Sequence, residues 1–361
     1  MDQKFPLGLS FDDVLLIPRY SEIASREDVD LTTYITPRLT LKLPLLSANM
    51  TDVTGTKMAI ALGKLGALGV LPRFMSAEDE ADMVAAVKKE GLTVAAAVGL
   101  RNGMFDLAEQ LVKAGAEVLF LDVAHGHMRK AIEATQKLRQ KFGKSVDIVS
   151  GNVATYEGAD ALFRAGADSV KVGVGPGTIC ITRIETGFGV PQMSALLDAA
   201  RAARRHKKTI IADGGTKNSG DVVKALAAGA SAVMAGSQFA GTDEAPGEKI
   251  TLKGKVFKRY YASTSFMEKK NHIKNNGDSL SKDYAKHIEG VESMVPYKGP
   301  VSAVIEKMSA NIRSGFSYCG AKELSDLWRK AKFVRITSQG LRESGPHDVV
   351  VNENGIKSFM E

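Results

Sequence analysis

Cysteine is scarce in this chain: Cys180 and Cys319 are the two among 361 residues, far apart in sequence. That excludes a disulfide framework and leaves a free thiol, which suits a reducing compartment. Aromatic residues make up only 6%, with a single Trp, so platforms for stacking nucleic-acid bases are few. Long apolar runs are also missing, and no stretch reaches the length of a membrane-crossing helix. The opening MDQKFPLGLSFDDVLL lacks the pattern of a secretory leader. These absences lead to the expectation of a cytoplasmic protein with no membrane and no nucleic-acid partner.

Glycine, by contrast, is plentiful at 35 residues, against 44% hydrophobic and 25% charged residues. Such a mix fits an α/β protein with many tight turns. The formal charge is +7, which suits anionic small molecules as well as polyanions. The densest basic run, 201–208 (RAARRHKK), reads as a solvated helix C-terminus whose cations face the helix dipole.

Short apolar runs alternate with helical patterns. The runs are 43–50, 67–73, 93–99, 117–124, 146–152, 169–175, 209–215 and 232–237. Near-continuous apolar character is expected of parallel strands buried on both faces. Between them, 55–63, 77–90, 104–114, 128–142, 156–165, 192–206 and 219–228 read as helical segments. Gly91, Gly115, Gly143, Gly166 and Gly229 fall where a left-handed helix cap favours glycine. Eight strand–helix units predict a TIM (β/α)8 barrel, with an open doubly wound sheet as the alternative. The barrel is preferred because Asn49, Asp122, Asn152, Gly175, Asp213 and Gly236 end successive strands, and a barrel gathers those ends around one mouth.

From 243 to about 299 the alternation breaks. Residues 253–258 (KGKVFK) read as a hairpin, and 265–289 as a polar, irregular insertion of the kind that forms functional loops. The whole chain reads as one catalytic domain, 1–361, with a mobile flap at 251–299 after the eighth strand and a tail at 333–361. Residues 300–314 and 321–331 return to helix.

The strongest chemical signal is KVGVGPGTICITRIETGFGVPQ at 171–192. Gly175, Pro176 and Gly177 force a turn after a strand, which can aim backbone N–H groups and the Thr178 hydroxyl at an anion. Cys180 follows at once, and a thiolate attacks electrophilic carbon well; the bland reading is a structural Cys in a glycine turn. Two further glycine turns, 212–215 and 235–237, follow strands 7 and 8, where such barrels hold phosphate. Asp213 suits a ribose diol, or else caps a turn. In DVAHGH at 122–127, the two His lack a partner with ligand spacing; a metal, a surface turn and a ligand contact through Asp122 stay open.

Seven segments carry a family resemblance: LSFDDVLLIP (9–18), LSANM (46–50), LDVAHGH (121–127), GNVAT (151–155), GVGPGTICITR (173–183), IADGG (211–215) and VPYKGPV (295–301). Over nearly its whole length the chain resembles the IMP dehydrogenase/GMP reductase family. The resemblance implies a covalent adduct between Cys180 and C2 of the purine, with Thr182 assisting. It implies a cradle for phosphate and ribose at Thr178, Asp213, Gly215, Gly236, Ser237 and Tyr260. Ala48 and Met50 would pack near the base, and Glu289 would read its edge and take part in catalysis. Asp122, Asn152, Lys171 and Gly173 would lie on the nicotinamide side. The backbone at Gly175, Gly177 and Cys180 would bind a monovalent cation, K+ being the expected one. Glu343, Ser344 and Gly345 from a neighbouring subunit would complete that site, in a homotetramer.

Which member this is turns on three regions. The paired CBS domains usual in IMP dehydrogenases after the second strand are absent, since 74–93 runs straight to the third. The tail at 333–349, together with 122–127 and TKNSGD at 216–221, is dehydrogenase-like. The flap departs: dehydrogenases usually carry Tyr-Arg-Gly-Met-Gly-Ser and then an Arg-Tyr pair that activates water. Here the residues are Tyr260–Tyr261–Ala262–Ser263–Thr264–Ser265, then Lys282–Asp283–Tyr284. Tyr284 keeps the tyrosine of that pair and Lys282 replaces the arginine. The expected activity is oxidation of IMP to XMP with NAD+. Reduction of GMP to IMP with NADPH is the second reading, and a nucleotide-binding regulator without catalysis the third.

Overall fold

A computed structural model of the chain describes residues 5–276 and 286–346. Eight parallel strands close into a barrel. In chain order they are β1 (Leu45–Ser47), β2 (Leu68–Leu71), β3 (Ala95–Val98), β4 (Val118–Asp122), β5 (Asp147–Val153), β6 (Ser169–Val172), β7 (Thr209–Asp213) and β8 (Ala232–Ala235). Seven lie inside their apolar runs and β5 passes the end of its run by one residue, Val153; β8 pairs with β1 to shut the ring. The open-sheet alternative is thereby excluded. The intervening helices are α1 (Thr56–Lys64), α2 (Ala77–Lys89), α3 (Met104–Ala114), α4 (Arg129–Phe142) and α5 (Tyr156–Arg164). The short α6 (Thr182–Thr186), then α7 (Gln192–His206) and α8 (Ser219–Ala227), complete the set. The five glycines expected past helix ends all adopt positive φ.

Side chains along β2–β5 alternate between two packed clusters, as a pleated strand requires. Leu71, Ala96, Val98, Leu119, Leu121 and Ile148 pack with Val84 and Val87 of α2, Leu111 of α3 and Leu138 of α4. Their neighbours Val70, Ala95, Ala97, Val118, Phe120 and Val149 belong to the other cluster, facing away from those helices. Each fully buried Leu, Val or Phe contributes roughly 1.5–3 kcal/mol relative to exposure.

After β8 and the single turn α9 (Ser237–Ala240), the chain leaves the ring. Strands β9 (Lys249–Leu252), β10 (Lys255–Tyr261) and β11 (Glu292–Pro296) form an antiparallel sheet. The expected hairpin is β9–β10, longer than the sequence indicated. The expected irregular insertion instead contains a helix, α10 (Phe266–Asn276). Its polar sequence hides it, because docking rather than propensity holds it. His272 stacks on Phe74 at 3.8 Å, and Thr51 Oγ1 donates to Glu268 at 2.9 Å. Two helices follow, α11 (Val301–Tyr318) and α12 (Leu324–Lys330). The tail strand Phe333–Arg335 then pairs with Val14–Leu16 near the N-terminus.

Glu80, in the first turns of α2, is only 4% exposed. Burial pushes its carboxyl up to about 7, from an ordinary 4.5, against the N–H groups of Met75 and Phe74 and the charges of Arg73 and Arg101. A raised folded-state value means that this group's contribution to stability is full below the unfolded value and is lost as pH rises toward the folded one. The window therefore runs from about pH 4.5 to 7, and the effect is on the order of 3 kcal/mol. Glu80→Gln should flatten the fall in stability across this window, measured by thermal melts at pH 5 and pH 8. A slope identical to that of the parent would show that the carboxyl ionises normally.

Candidate active site

The C-terminal ends of β4 to β7 converge on one lysine. Lys171, next to last in its strand, lies beside Gly151 and Ile211, and a charged residue this deep requires counter-charge. Its ammonium meets Asp122 Oδ1 at 3.0 Å, Asn152 Oδ1 at 2.5 Å and Asp213 Oδ2. Burial alone would depress the Lys171 ammonium, but the two carboxylates reverse this and raise it. Burial likewise pushes Asp122 up, yet Lys171 and Arg73, with hydrogen bonds from Lys171 and Asn49, bring it to about 2. Asn152 is the extra residue of an irregularity in β5, where Gly151 and Val153 face successive residues of β6. Such a bulge re-aims a side chain: Asn152 Nδ2 donates to Gly173 O at 2.7 Å and to Asp213 Oδ2 at 2.8 Å.

Beside this cluster lies a cleft of about 190 Å³. Ala48 and Met50 form one wall, and Thr178 and Cys180 another. Gly214 and Gly215, at φ 81° and 83°, follow Asp213 through a turn that only glycine adopts without strain. Gly236 and Ser237 close the far end, with Thr178 Oγ1 3.4 Å from Ser237 Oγ. Lys298 Nζ donates to the carbonyls of Ser237 and Gln238 at 2.9 and 3.1 Å, holding that turn. Three backbone-rich turns facing one small space are what an anion requires. A larger groove of about 1240 Å³ runs between 15–18, α8 and α11. It holds Cys319 and none of the predicted site residues, and burial pushes the Cys319 thiol up, away from a reactive thiolate.

Cys180 Sγ is 3.1 Å from Thr182 Oγ1, and Thr182 Oγ1 donates to Glu289 Oε2 at 2.7 Å. A threonine hydroxyl has one proton. With that proton given to Glu289, the thiol is the donor in the first contact, so the chain of bonds runs from sulfur through hydroxyl to carboxylate. The flap and the Cys loop are joined by main-chain bonds: Ile181 N donates to Glu289 O at 2.9 Å and Val291 N to Ile179 O at 3.0 Å. Tyr260, on β10, is buried against Gly236; burial, then Asp213, pushes its hydroxyl up, so it remains a donor.

Sequence reading missed the anchors. Arg259 embraces Asp52 with contacts of 2.7 to 3.2 Å, and Tyr261 N donates to the same carboxylate at 3.0 Å. This ties the flap base to the loop carrying Met50. Gln192 Nε2 ties Val172 O to Asp213 O at 2.9 and 3.1 Å. No local signal marks Asp52, which sits in a polar stretch (NMTDVTGT, 49–56) and meets its partner only through the fold. Of the predicted residues, Tyr284 lies outside the described residues, as do Lys282 and Asp283. Glu343, Ser344 and Gly345 end a short helix packed beside the turn Phe11–Asp13. His125 and His127 sit edge to face at 6.5 Å, and Gly126 N donates to Asn152 O at 2.6 Å, so this loop braces β5.

Fold and site together define a class: a (β/α)8 barrel whose mouth sets a thiol beside a hydroxyl and a carboxylate, facing a cleft lined by glycine turns. The model of the IMP dehydrogenase / GMP reductase domain matches residues 8–347, and the chain belongs to that family. It is 38% identical to an inosine-5'-monophosphate dehydrogenase of Borreliella burgdorferi, over 95% of this chain and 97% of the relative. Identity is 35% to the enzyme of that name from Aquifex aeolicus, over 100% and 99%. With that of Nitrosopumilus maritimus it is 33%, over 96% and 100%. A GMP reductase from Trypanosoma brucei, solved in complex with guanosine 5'-monophosphate, superposes with a TM-score of 0.90 at 30% identity, covering 96% of this chain and 99% of that one.

A Cβ at Gly236 would run into the Tyr260 hydroxyl. Gly236→Ala should therefore weaken nucleotide binding at least about tenfold, the scale of a lost close contact of about 1.4 kcal/mol. Adding Tyr260→Phe should recover part of the loss, read by calorimetric titration. No recovery would mean that the two residues do not share this end of the cleft.

Proposed function

We propose that this chain oxidises IMP to XMP with NAD+ and water, through a covalent adduct of Cys180 at C2 of the purine. The observation that carries this reading is the path from Cys180 through Thr182 to Glu289, at 3.1 and 2.7 Å, on the wall of a cleft lined by glycine turns. The phosphate would rest on Gly215, Gly236, Ser237 and Thr178, and the ribose diol on Asp213. Tyr260 would donate at the phosphate end, and Met50 and Ala48 would pack on the base. Bound so, the base would turn C2 toward the thiol. The thiol proton leaves through Thr182 to Glu289 as the sulfur–carbon bond forms. The nicotinamide cofactor, on the side of Asp122, Asn152 and Gly173, supplies the hydride acceptor.

Hydrolysis of the adduct then needs a base. Among the described residues lining the cleft, the carboxylates are Asp213 and Glu289. Asp213 is held by Lys171 and Asn152, which leaves Glu289: once the thiol proton has passed from it to solvent, it would take a proton from the attacking water through Thr182 and return it to the Cys180 sulfur as the sulfur–carbon bond breaks. The carbonyls of Gly175, Gly177 and Cys180 would hold a monovalent cation such as K+, for which neutral backbone oxygens are suitable donors. A second copy would add Glu343, Ser344 and Gly345, in a cytoplasmic homotetramer. Residues 72–76 join β2 to α2 directly, which supports a single catalytic domain, without CBS modules, carrying a flap at 251–299. Among the described residues, no helix is long and apolar enough to cross a membrane.

A second reading, reduction of GMP to IMP and ammonia with NADPH, is favoured by one observation: where dehydrogenases usually carry an Arg-Tyr pair that activates water, the sequence reads Lys282–Asp283–Tyr284 and has no arginine. That reaction uses the same thiol and requires no water. Purified protein given IMP with NAD+ should raise nicotinamide absorbance; a fall with GMP and NADPH instead would establish the reductase, and silence in both would overturn either reading. Cys180→Ala should abolish turnover, and Thr182→Val should lower kcat by roughly 10²–10⁴, the usual worth of a positioned proton acceptor. Full activity in Cys180→Ala would refute the adduct.

A further inference from the structure

The nucleotide and cofactor halves of the cleft share one buried cation. The Lys171 side chain is 3% exposed, whereas Asp122 and Asp213 are each 21% exposed. The ammonium therefore lies beneath the two carboxylates, and ligands reach them before they reach it. Its three protons face three acceptors, on Asp122, Asn152 and Asp213, so its capacity is filled. Each carboxylate has a further partner of its own. Asp122 Oδ2 faces Arg73 Nε at 3.5 Å, and Asp213 Oδ2 accepts from Asn152 at 2.8 Å. The two acids thus compete for one charge in a dry setting, where such interactions are strong and mutually dependent.

We propose that Lys171 is a positioning residue that couples the two subsites, holding Asp213 for the nucleotide and Asp122 for the cofactor so that a change at either carboxylate alters binding at the other. The naming of the two ligands rests on the proposed function; the coupling itself rests on the ion cluster. Its direction follows from the competition. When Asp122 is neutral, Lys171 is drawn wholly to Asp213, which becomes a poorer acceptor for a diol. When a diol donates to Asp213, Lys171 leans toward Asp122 and fixes the carboxylate that faces the cofactor.

The test is titration of the full-length protein with IMP, and separately with GMP, by calorimetry and without any cofactor. Asp122→Asn should weaken binding of the nucleotide about three- to tenfold, within the range of couplings seen in contacting networks. In the Lys171→Met background the same substitution should have no further effect, because the ammonium that carries the coupling is gone. Thermal melts of each variant check folding. Asp122→Asn keeps the Lys171–Asp213 pair, so its arm decides even if the variants lacking Lys171 do not fold. If neither nucleotide binds the parent protein, the functional reading fails. If one binds and Asp122→Asn leaves its Kd unchanged, or if the loss persists in the Lys171→Met background, the coupling is refuted.

Discussion

An ammonium at the end of a buried strand stays charged only if acids surround it, and in a closed ring those acids come from neighbouring strands. Lys171 on β6 sits one strand from Asn152 on β5 and from Asp213 on β7, and two from Asp122 on β4. Parallel pairing brings all four to the same end of the barrel. Burying such a cluster is costly, and it survives because every charge has a partner of opposite sign. The cluster forms the floor on which both sides of the cleft stand. Change its register by one residue, and the carboxylates would turn away from the mouth.

The segment that carries β10, α10 and β11 is fixed to the barrel mouth at separate points by different means. Asp52, fully buried, pairs with the half-buried Arg259 at its base. Main-chain bonds join 289–291 to the Cys loop. Farther out, His272 lies on Phe74, whose other neighbours include the Arg73 guanidinium at 3.9 Å. Phe74 takes φ 95°, uncommon for a bulky residue and the kind of local strain that tertiary contacts sustain. The cleft is thus walled on one side by the rigid ring and on the other by a segment whose position depends on a few long-range contacts.

How legible this was in the sequence follows from the range of the interactions. The eight strands could be read because burial on both faces leaves an apolar run ending in a small or polar residue, a purely local signature. Cys180, Asp213 and the glycine turns were legible for the same reason: their chemistry is packed into short motifs. Helix α10 was not, since its residues are polar and its order comes from Phe74 and Thr51, some two hundred positions earlier. Nor was the pair Asp52–Arg259, separated by 207 positions. Lys171 lay between: a lysine inside SVKVGVG announces a buried charge, but only closure of the ring says which acids meet it.

The join between the Glu289 segment and the Cys180 loop is made by peptide groups, and this has an evolutionary consequence. Amide and carbonyl are shared by every amino acid except proline, so the part-exposed side chains of Tyr261 and Ser263 can be exchanged without breaking the bonds that hold Glu289 to the turn of Cys180, whereas Ala262, whose methyl lies against Gly290, stays small. Sulfur placement and flap chemistry are thereby separable traits. A lineage could swap the reagent that finishes the reaction while inheriting the attacking atom in place, one scaffold serving opposite directions of purine metabolism.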